Sequence, residues 1–230
     1  MSVREIEFES VNVLDNDDAI AEMQRLGARS IPIVSKGGKF VFAQVLQDVV
    51  DFLGIEEDTG PQLTLTELCE RYLSILDKAI VQTRLMPDAH LDKELPKRPR
   101  SWRVLMHHLF QIPVAFLDME DLGETLTYEK LVAPPPGDIQ TSEQIAAFGE
   151  QVKARFAAWF DKVKDEDFKG KVPTYFGGTT RHEMLERTVW HSTQHVRQVG
   201  ALLGEIGITP SDPVTAKDIA GLPLTDKVWG

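Results

Sequence analysis

The chain of 230 residues has a formal net charge of −11 at pH 7, with 42% hydrophobic and 27% charged residues. This negative balance, without any strongly basic segment, argues against a nucleic-acid partner bound through many phosphates. Because Cys69 is the one cysteine, an internal disulfide and a cysteine-rich zinc site are excluded, and any metal must be held by nitrogen and oxygen.

The amino terminus does not resemble a targeting segment. Its start, MSVREIEFES, lacks the basic head and the apolar middle of a signal peptide. No later stretch contains the run of about 18 apolar residues that a membrane-spanning helix needs. We therefore expect a cytoplasmic protein that acts on a small-molecule substrate and has no membrane partner.

Residues 1–57 alternate strand and helix signals. In chain order these are strand-like IEFESVNVL, helical DNDDAIAEMQRLG, strand-like SIPIV, strand-like KFVFA and helical QVLQDVVDFLG. The turn SKGG between the second and third strands is typical of a hairpin, and Gly54 ends the second helix. The pattern predicts a small β-α-β-β-α unit, followed at 58–62 by an acidic Gly-Pro linker.

Residues 63–230 change to long helical patterns, and no convincing strand is found among them. The predicted helices are LTLTELCERYLSILDKAIVQTRLM, SWRVLMHHLFQIPVAFLDMEDL, SEQIAAFGEQVKARFAAWFDKV and RHEMLERTVWHSTQHVRQVGALLGEIG. The proline-rich segment TLTYEKLVAPPPGDIQ is too long for a tight hairpin and is interpreted as a crossover. In the loop-like tail, Leu222, Leu224 and Trp229 are able to fold back. The sequence thus predicts an α+β chain whose second unit is an all-α four-helix bundle.

The last predicted helix presents two histidines on one face. At about 100° per residue, the side chains within about 60° of one direction are Met184, Arg187, Thr188, His191, His195, Gln198 and Leu202. His191 and His195 therefore point inward together. Imidazoles one turn apart can share a divalent ion, but two ligands rarely hold a metal tightly, so a third is expected from another helix.

The second predicted helix supplies that third histidine. Its buried stripe is marked by Trp102, Leu105, Leu109, Ile112 and Phe116. His108 lies within this stripe, whereas His107 is turned about 100° away. Burying three imidazoles without partners costs about 1–3 kcal/mol each, which favours a compensating ion. On spacing alone the pattern is either a zinc, nickel or iron(II) site or a set of polar residues without a metal.

Two further residues on the histidine face are candidate catalytic residues. Gln198, one turn beyond His195, is placed to orient a ligand imidazole or to contact substrate. Arg187, one turn before His191, is placed to bind an anionic group of a substrate or thiol. A salt bridge to a neighbouring helix is an equally good reading of Arg187.

The segments SWRVLMHHLF and VWHSTQHVRQVGALLGEIG together resemble the DinB-like superfamily of metal-binding four-helix bundles, over residues 63–208. The resemblance implies one histidine ligand on helix two and an i, i+4 pair on the last helix, which His108, His191 and His195 match. It also implies an up-down-down-up topology and a homodimer. Characterised enzymes of the family mostly use mycothiol, bacillithiol or glutathione as a thiol cofactor.

Three hypotheses for function follow. The first is a metal-dependent transferase or isomerase that uses a low-molecular-weight thiol, since Cys69 lies beside a packing stripe and is interpreted as a small hydrophobe. The second is a non-catalytic metal-binding stress or interaction protein with a structural ion. The third, a metal-dependent hydrolase, needs a general base, and no carboxylate lies on the histidine face.

The segment ARSIPIV and the elements around it resemble the second half of a glutaredoxin or thioredoxin fold. The resemblance implies a cis peptide bond between Ile31 and Pro32. The strand and helix that would carry the CxxC pair are absent, as is the glycine pair of a glutathione pocket. Either an upstream unit is missing or the half-domain serves for docking. Its uncovered apolar residues predict packing against the bundle or a second subunit.

Overall fold

The structure, a computed structural model, is an α+β chain that is mostly helical and carries small two-stranded antiparallel sheets. The residues that it describes are 8–13, 16–28, 31–56, 59–95 and 98–229. The chain divides into two compact units, Met1–Gly60 and Pro61–Gly230. We call these the amino-terminal unit and the carboxy-terminal unit. The division falls within the segment 58–62 that the sequence predicts as a linker.

The amino-terminal unit consists of two short helices and one hairpin. Its elements are α1 (Asp17–Leu26), β1 (Ile33–Lys36), β2 (Lys39–Phe42) and α2 (Leu46–Leu53). The Asn16 side chain accepts a hydrogen bond from the Ala19 amide at the start of α1, as an N-cap does. The turn between β1 and β2 is made by Gly37 and Gly38, whose φ angles of 59° and 75° suit glycine. Both helices and the hairpin agree with the sequence pattern.

The strand predicted over residues 6–14 is wrong for the part that the structure describes. Residues 8–13 belong to no strand, and the remainder lies outside the described residues. Apolar alternation gives a segment the preference for an extended conformation, but a strand also needs a partner for its backbone groups. Among the described residues of this unit, β1 and β2 pair only with each other. The Ile31–Pro32 bond is cis, as the resemblance implied.

The carboxy-terminal unit contains four long helices and several short elements. In chain order these are α3 (Leu65–Leu85), β3 (Glu94–Leu95), β4 (Arg98–Ser101), α4 (Trp102–Leu122), α5 (Tyr128–Leu131), α6 (Ser142–Val163), β5 (Lys171–Thr174), β6 (Gly177–Thr180), α7 (Arg181–Glu205) and α8 (Ala216–Ile219). Helices α6 and α7 each pack against both α3 and α4. Each long helix begins after a Ser or Thr whose side chain caps its first turn.

One hydrophobic core runs between the four long helices. Its largest fully buried aromatic side chains are Tyr72, Phe110, Phe116 and Phe156. Close approach of α4 and α6 depends on Gly149, because a Cβ at that position would lie 2.5 Å from the ring of Phe110. Dense packing of this kind makes the core sensitive to small changes in side-chain volume.

The prediction that residues beyond Leu63 are all-α is wrong, because two antiparallel hairpins interrupt the helices. Strand β3 pairs with β4, and β5 pairs with β6. Each strand has at most four residues, which is too short to show an alternating pattern. Both hairpins lead directly into a long helix, and the last residue of each, Ser101 or Thr180, is that helix's N-cap.

The carboxyl-terminal tail folds back onto α7. Leu222 is buried, and Leu224 packs against the core. Arg197 donates hydrogen bonds to the carbonyls of Thr225 and Asp226, both at 2.8 Å. Gln194 donates to the carbonyl of Val228 at 2.6 Å. The tail is therefore held through its backbone as well as through its apolar side chains.

Candidate metal centre

Three histidines from two helices meet inside the carboxy-terminal unit. His108 lies on α4, and His191 and His195 lie one turn apart on α7. One ring nitrogen of each lies within 4.8 Å of the other two. The ring centroids are 5.5 Å apart for His108 and His191, 5.1 Å for His108 and His195, and 4.9 Å for His191 and His195. The structure therefore brings together the three residues that the sequence predicts as ligands.

The neighbouring His107 points elsewhere. Its ring stacks on Phe148 of α6, with centroids 4.9 Å apart and planes 9° from parallel. Burial lowers the pKa of His107 to about 4. The turn of about 100° between successive helical residues accounts for the different surroundings of the two adjacent histidines.

Hydrogen bonds orient two of the three clustered rings. His108 is bonded to the carbonyl of Leu131, the last residue of α5. His195 Nδ1 lies 2.7 Å from Gln198 Oε1, and Gln198 Nε2 donates to the carbonyl of Val228 at 3.2 Å. Because the side-chain nitrogen of Gln198 donates to the Val228 carbonyl, the side-chain oxygen of Gln198 is the atom that accepts a hydrogen bond from His195 Nδ1. Gln198 thus stands where the sequence places it, beside a candidate ligand.

The surroundings keep His108 and His191 neutral. Burial is the main cause that lowers the pKa of His108 to about 3, and the charges of His195 and Arg100 lower it further. Burial also holds the pKa of His191 well below its usual value, with additional repulsion from Arg187 and Arg100. No carboxylate is among the described groups that shift either pKa. Neutral imidazole is the form that binds a metal.

Arg187 lies at the edge of the cluster, among aromatic rings. Its guanidinium carbon is 4.8 Å from the ring centroid of Phe176 and 5.6 Å from that of Trp190. The Trp190 ring is in turn 5.6 Å from the ring of His191. Its placement beside the cluster agrees with the position predicted for it, and whether it binds an anion stays a prediction.

Sequence reasoning missed Arg100, Leu131 and Phe176 as neighbours of the site. Arg100 lies in β4, Leu131 contributes only a backbone carbonyl, and Phe176 lies in the turn between β5 and β6. None of these segments has the periodicity of a long helix. The proline-rich crossover, which contains α5, was the available signal that this region leaves the regular helical pattern.

Two other titratable groups take no part in the cluster. The Cys69 thiol is fully buried, and burial raises its pKa to about 12, so it is a poor nucleophile at neutral pH. Glu186 has its pKa raised to about 7 by burial and by Glu183, while a hydrogen bond from the Gln62 backbone opposes the shift. That hydrogen bond holds the Glu186 side chain near Gln62, at the beginning of the carboxy-terminal unit.

In the part of the chain that the structure describes, no helix combines the length and the apolarity needed to cross a membrane. No family model matches the chain, and no curated protein matches it either. Function is therefore inferred from the chemistry of the histidine cluster.

Proposed function

We propose that the carboxy-terminal unit is a DinB-like four-helix bundle of up-down-down-up topology, and that His108, His191 and His195 hold one divalent metal ion. The observation that carries this proposal is the approach of three ring nitrogens, one from each histidine, to within 4.8 Å of one another. The packing of α6 and α7 against both α3 and α4 supports the bundle. The positions of the ligands on the second and fourth long helices agree with the resemblance.

The residues fit a divalent ion well. Three imidazoles are a nitrogen donor set that suits zinc, nickel or iron(II). Metal-bound histidines usually donate their second ring nitrogen to an oxygen, as His108 does to Leu131 and His195 does to Gln198. Three protein ligands leave a coordination position for a substrate atom. A bound ion would supply Lewis-acid polarisation and lower the pKa of a coordinated thiol.

The proposed activity is a thiol-dependent transfer or isomerisation. Cys69 is unsuited to nucleophilic attack, so the thiol would come from a low-molecular-weight cofactor such as glutathione. The resemblance of the amino-terminal unit to glutaredoxins gives further support. Gln198 would hold His195 in its orientation, and Arg187 would bind an anionic group of the cofactor or substrate.

One observation favours an alternative in which the ion is structural. His108 and His195 are buried, as ligands in closed structural sites are, although His191 is only half-buried. The protein would then be a non-catalytic metal-binding protein. A hydrolase is less well supported, because the described groups acting on His108 and His191 include no carboxylate that would serve as a general base.

We also propose that the chain forms a homodimer through the amino-terminal unit. Large apolar side chains remain exposed there, among them Phe8, Val11, Ile31 and Phe42. Exposed apolar patches of a few hundred Å² or more commonly mark interfaces. Light scattering would test this, and a monodisperse monomer would contradict it.

Elemental analysis of the purified protein tests the metal, and glutathione titration tests the thiol. We expect about one equivalent of a divalent transition metal and its loss in His191→Ala. His107→Gln is the matched control and should keep its metal, because the His107 ring contacts Phe148 instead. Full metal retention in His191→Ala would contradict the site. Metal without any thiol binding would favour the structural alternative.

A further inference from the structure

Four successive backbone carbonyls near the carboxyl terminus accept hydrogen bonds from side chains of α7. The accepting carbonyls belong to Thr225, Asp226, Lys227 and Val228. The donors are Gln194, Arg197 and Gln198, which lie within about one helical turn of one another. These bonds are between 2.6 and 3.3 Å long. We call residues 225–229 the strap.

The position of the strap depends on these bonds. Residues 225–229 belong to no helix or strand, so their carbonyls have no partners in a regular backbone ladder. The apolar anchors of the tail come earlier, at the buried Leu222 and at Leu224, which packs against the core. A segment with exposed residues and few buried contacts opens more easily than the core does.

Gln198 joins the strap to a candidate metal ligand. Its Nε2 donates to the Val228 carbonyl, and its Oε1 lies 2.7 Å from His195 Nδ1. A carbonyl can only accept, so the strap holds the nitrogen side of the amide and leaves the oxygen side to His195. That oxygen requires a proton on His195 Nδ1. A neutral imidazole protonated at Nδ1 has its lone pair on Nε2, which is then the atom available to a metal.

Without the strap, Gln198 would lose this constraint. Water would replace the Val228 carbonyl, and because water both donates and accepts, it would satisfy either orientation of the amide. An amide turned over would donate its nitrogen to His195 Nδ1. The imidazole proton would then lie on Nε2, and that nitrogen could not bind an ion. The strap therefore disfavours a tautomer that competes with metal binding.

We propose that the strap is a positioning element of the metal centre: it holds Gln198 so that His195 offers Nε2 to the ion, and metal binding in turn stabilises the docked strap. Val228 acts through its carbonyl and is a positioning residue. The coupling is reciprocal, because a docked strap that raises the metal affinity is itself stabilised by the metal by the same factor. This inference rests on the proposed function, since it assigns a role to His195 as a ligand.

Titration of the metal-free full chain with Co²⁺, followed by visible absorbance, tests the inference against a variant that ends at Leu224. The variant keeps Leu222 and Leu224, and it loses Asp226 together with Lys227, so its net charge is unchanged. We expect it to bind Co²⁺ at least about tenfold more weakly, as is typical when an outer partner of a ligand histidine is lost.

The control Lys78→Met loosens the tail before the strap begins. Lys78 pairs with Asp212 and Asp218 and makes no contact with Gln198. This variant should melt at a lower temperature and keep the Co²⁺ affinity of the unmodified protein. A loss of Co²⁺ affinity as large as that of the shortened chain would mean that general stability, and not the strap, sets metal binding, and would overturn the inference.

Gln198→Glu separates positioning from stability in a second way. A carboxylate offers only acceptors, so it would keep the proton on His195 Nδ1 whether or not the strap is docked. In the shortened chain, Gln198→Glu should therefore restore most of the lost Co²⁺ affinity. Gln194→Glu, which adds the same charge nearby on α7, should not restore it. Equal recovery in both variants, or in neither, would contradict the proposed role of Gln198.

Long-range proton–nitrogen correlation spectra of the metal-free protein give a readout that does not depend on an ion. The full chain should show the His195 proton on Nδ1, and the shortened chain should show it at least partly on Nε2. Arg197→Met, which removes two strap bonds from the full chain, should shift the tautomer in the same direction and tests the strap even if the shortened chain does not fold.

The outcomes separate this inference from the proposed function. Equal Co²⁺ affinity in the full and shortened chains, or an unchanged His195 tautomer, would overturn the inference and leave the metal centre standing. A full chain that binds no Co²⁺ would refute the proposed function, and the tautomer would then decide the role of the strap: a proton that leaves Nδ1 when the strap is removed supports it, and one that stays refutes it.

Discussion

Helices in both the amino-terminal and the carboxy-terminal unit begin with the same kind of side-chain cap, but the two units bury very different numbers of side chains. Helix α1 and helix α3 both begin at a side-chain cap, Asn16 in one case and Thr64 in the other. Yet α1 buries none of its residues, whereas α3 buries ten of its 21. The comparison shows that capping and turn signals are sufficient to define an element, while a stable unit also requires an apolar face to be covered.

The difference follows from how much surface each unit can cover. In the described part of the amino-terminal unit, the buried apolar side chains are Ala28, Val49 and Val50. Two short helices and one hairpin leave most apolar residues at least partly exposed, and chains of about 60 residues bury a smaller fraction of their surface than larger domains do. The carboxy-terminal unit instead encloses one core between four helices, and that core supports the histidine cluster.

Producing the two units as separate fragments should give the largest difference in cooperative unfolding. A fragment of residues 61–230 is expected to unfold cooperatively and to bind metal, because its core and all three histidines lie within it. A fragment of residues 1–60 is expected to show no cooperative transition, since its burial is too small to offset the conformational entropy of folding. Circular dichroism during thermal unfolding measures both. A sharp transition in the 1–60 fragment would contradict the comparison.

Two phenylalanine substitutions, one in each unit, test how much burial contributes to stability. Phe156 is fully buried against Tyr72 and Trp159, so Phe156→Ala should lower the free energy of unfolding by about 3–5 kcal/mol. Phe42 is 39% exposed, so Phe42→Ala should cost about 1 kcal/mol or less.

The chain offers a convenient probe for these measurements. All four tryptophans lie beyond Gly60, so tryptophan fluorescence during chemical denaturation follows the carboxy-terminal unit alone. The Phe42→Ala variant should leave that curve unchanged. A shift as large as that of Phe156→Ala would mean that the stability of the carboxy-terminal unit depends on the amino-terminal unit.

Acid should destabilise the metal-free carboxy-terminal unit. All six histidines lie beyond Gly60, and burial lowers the pKa of His107 to about 4, that of His108 to about 3 and that of His191 well below 6.5. Below pH 6.5 these histidines become protonated in the unfolded chain but stay neutral in the folded protein. The stability that the histidines contribute is therefore present above pH 6.5 and is lost as the pH falls toward 4.

Glu186 opposes this trend. Its pKa is raised from 4.5 to about 7, so its contribution is largest below pH 4.5 and is lost as the pH rises through 7. Three histidines outweigh one carboxyl group, and we expect the melting temperature of metal-free protein, followed by tryptophan fluorescence, to fall between pH 7 and pH 5. A constant melting temperature over this range would contradict the expectation that the histidines dominate the pH dependence.

The long helices and the approach of the three histidines were predictable from sequence because both depend largely on helix geometry. The spacing of His191 and His195 places them one turn apart on any α-helix, and the apolar stripe around His108 fixes its direction. The caps also depend on local geometry, since Asn16 and Thr64 each accept a hydrogen bond from the amide three positions ahead.

What the sequence did not predict depends on contacts between distant segments. The β5–β6 hairpin has no residue pattern that distinguishes it from a loop, yet it carries Tyr175 and Phe176 to the site. The Leu131 carbonyl reaches His108 through the backbone, so side-chain identity gives no signal. Conversely, residues 8–13 have the composition of a strand and lack one because pairing is not a local property.

The smallest expected change in stability comes from removing a helix cap, a feature that is present in each unit. The Thr64 side chain accepts a hydrogen bond from the Glu67 amide, and the Glu67 carboxylate accepts one from the Thr64 amide, so this capping box satisfies two backbone groups at the start of α3. Thr64→Ala should lower the free energy of unfolding of the carboxy-terminal unit by about 1 kcal/mol, and Thr64→Ser should restore most of it.

Asn16→Ala removes the corresponding bond from α1. Because α1 buries no residue, that variant should leave the tryptophan-detected unfolding curve in place while reducing the helical signal of the amino-terminal unit. Equal shifts of the tryptophan curve in Thr64→Ala and Asn16→Ala would mean that the two units unfold as one.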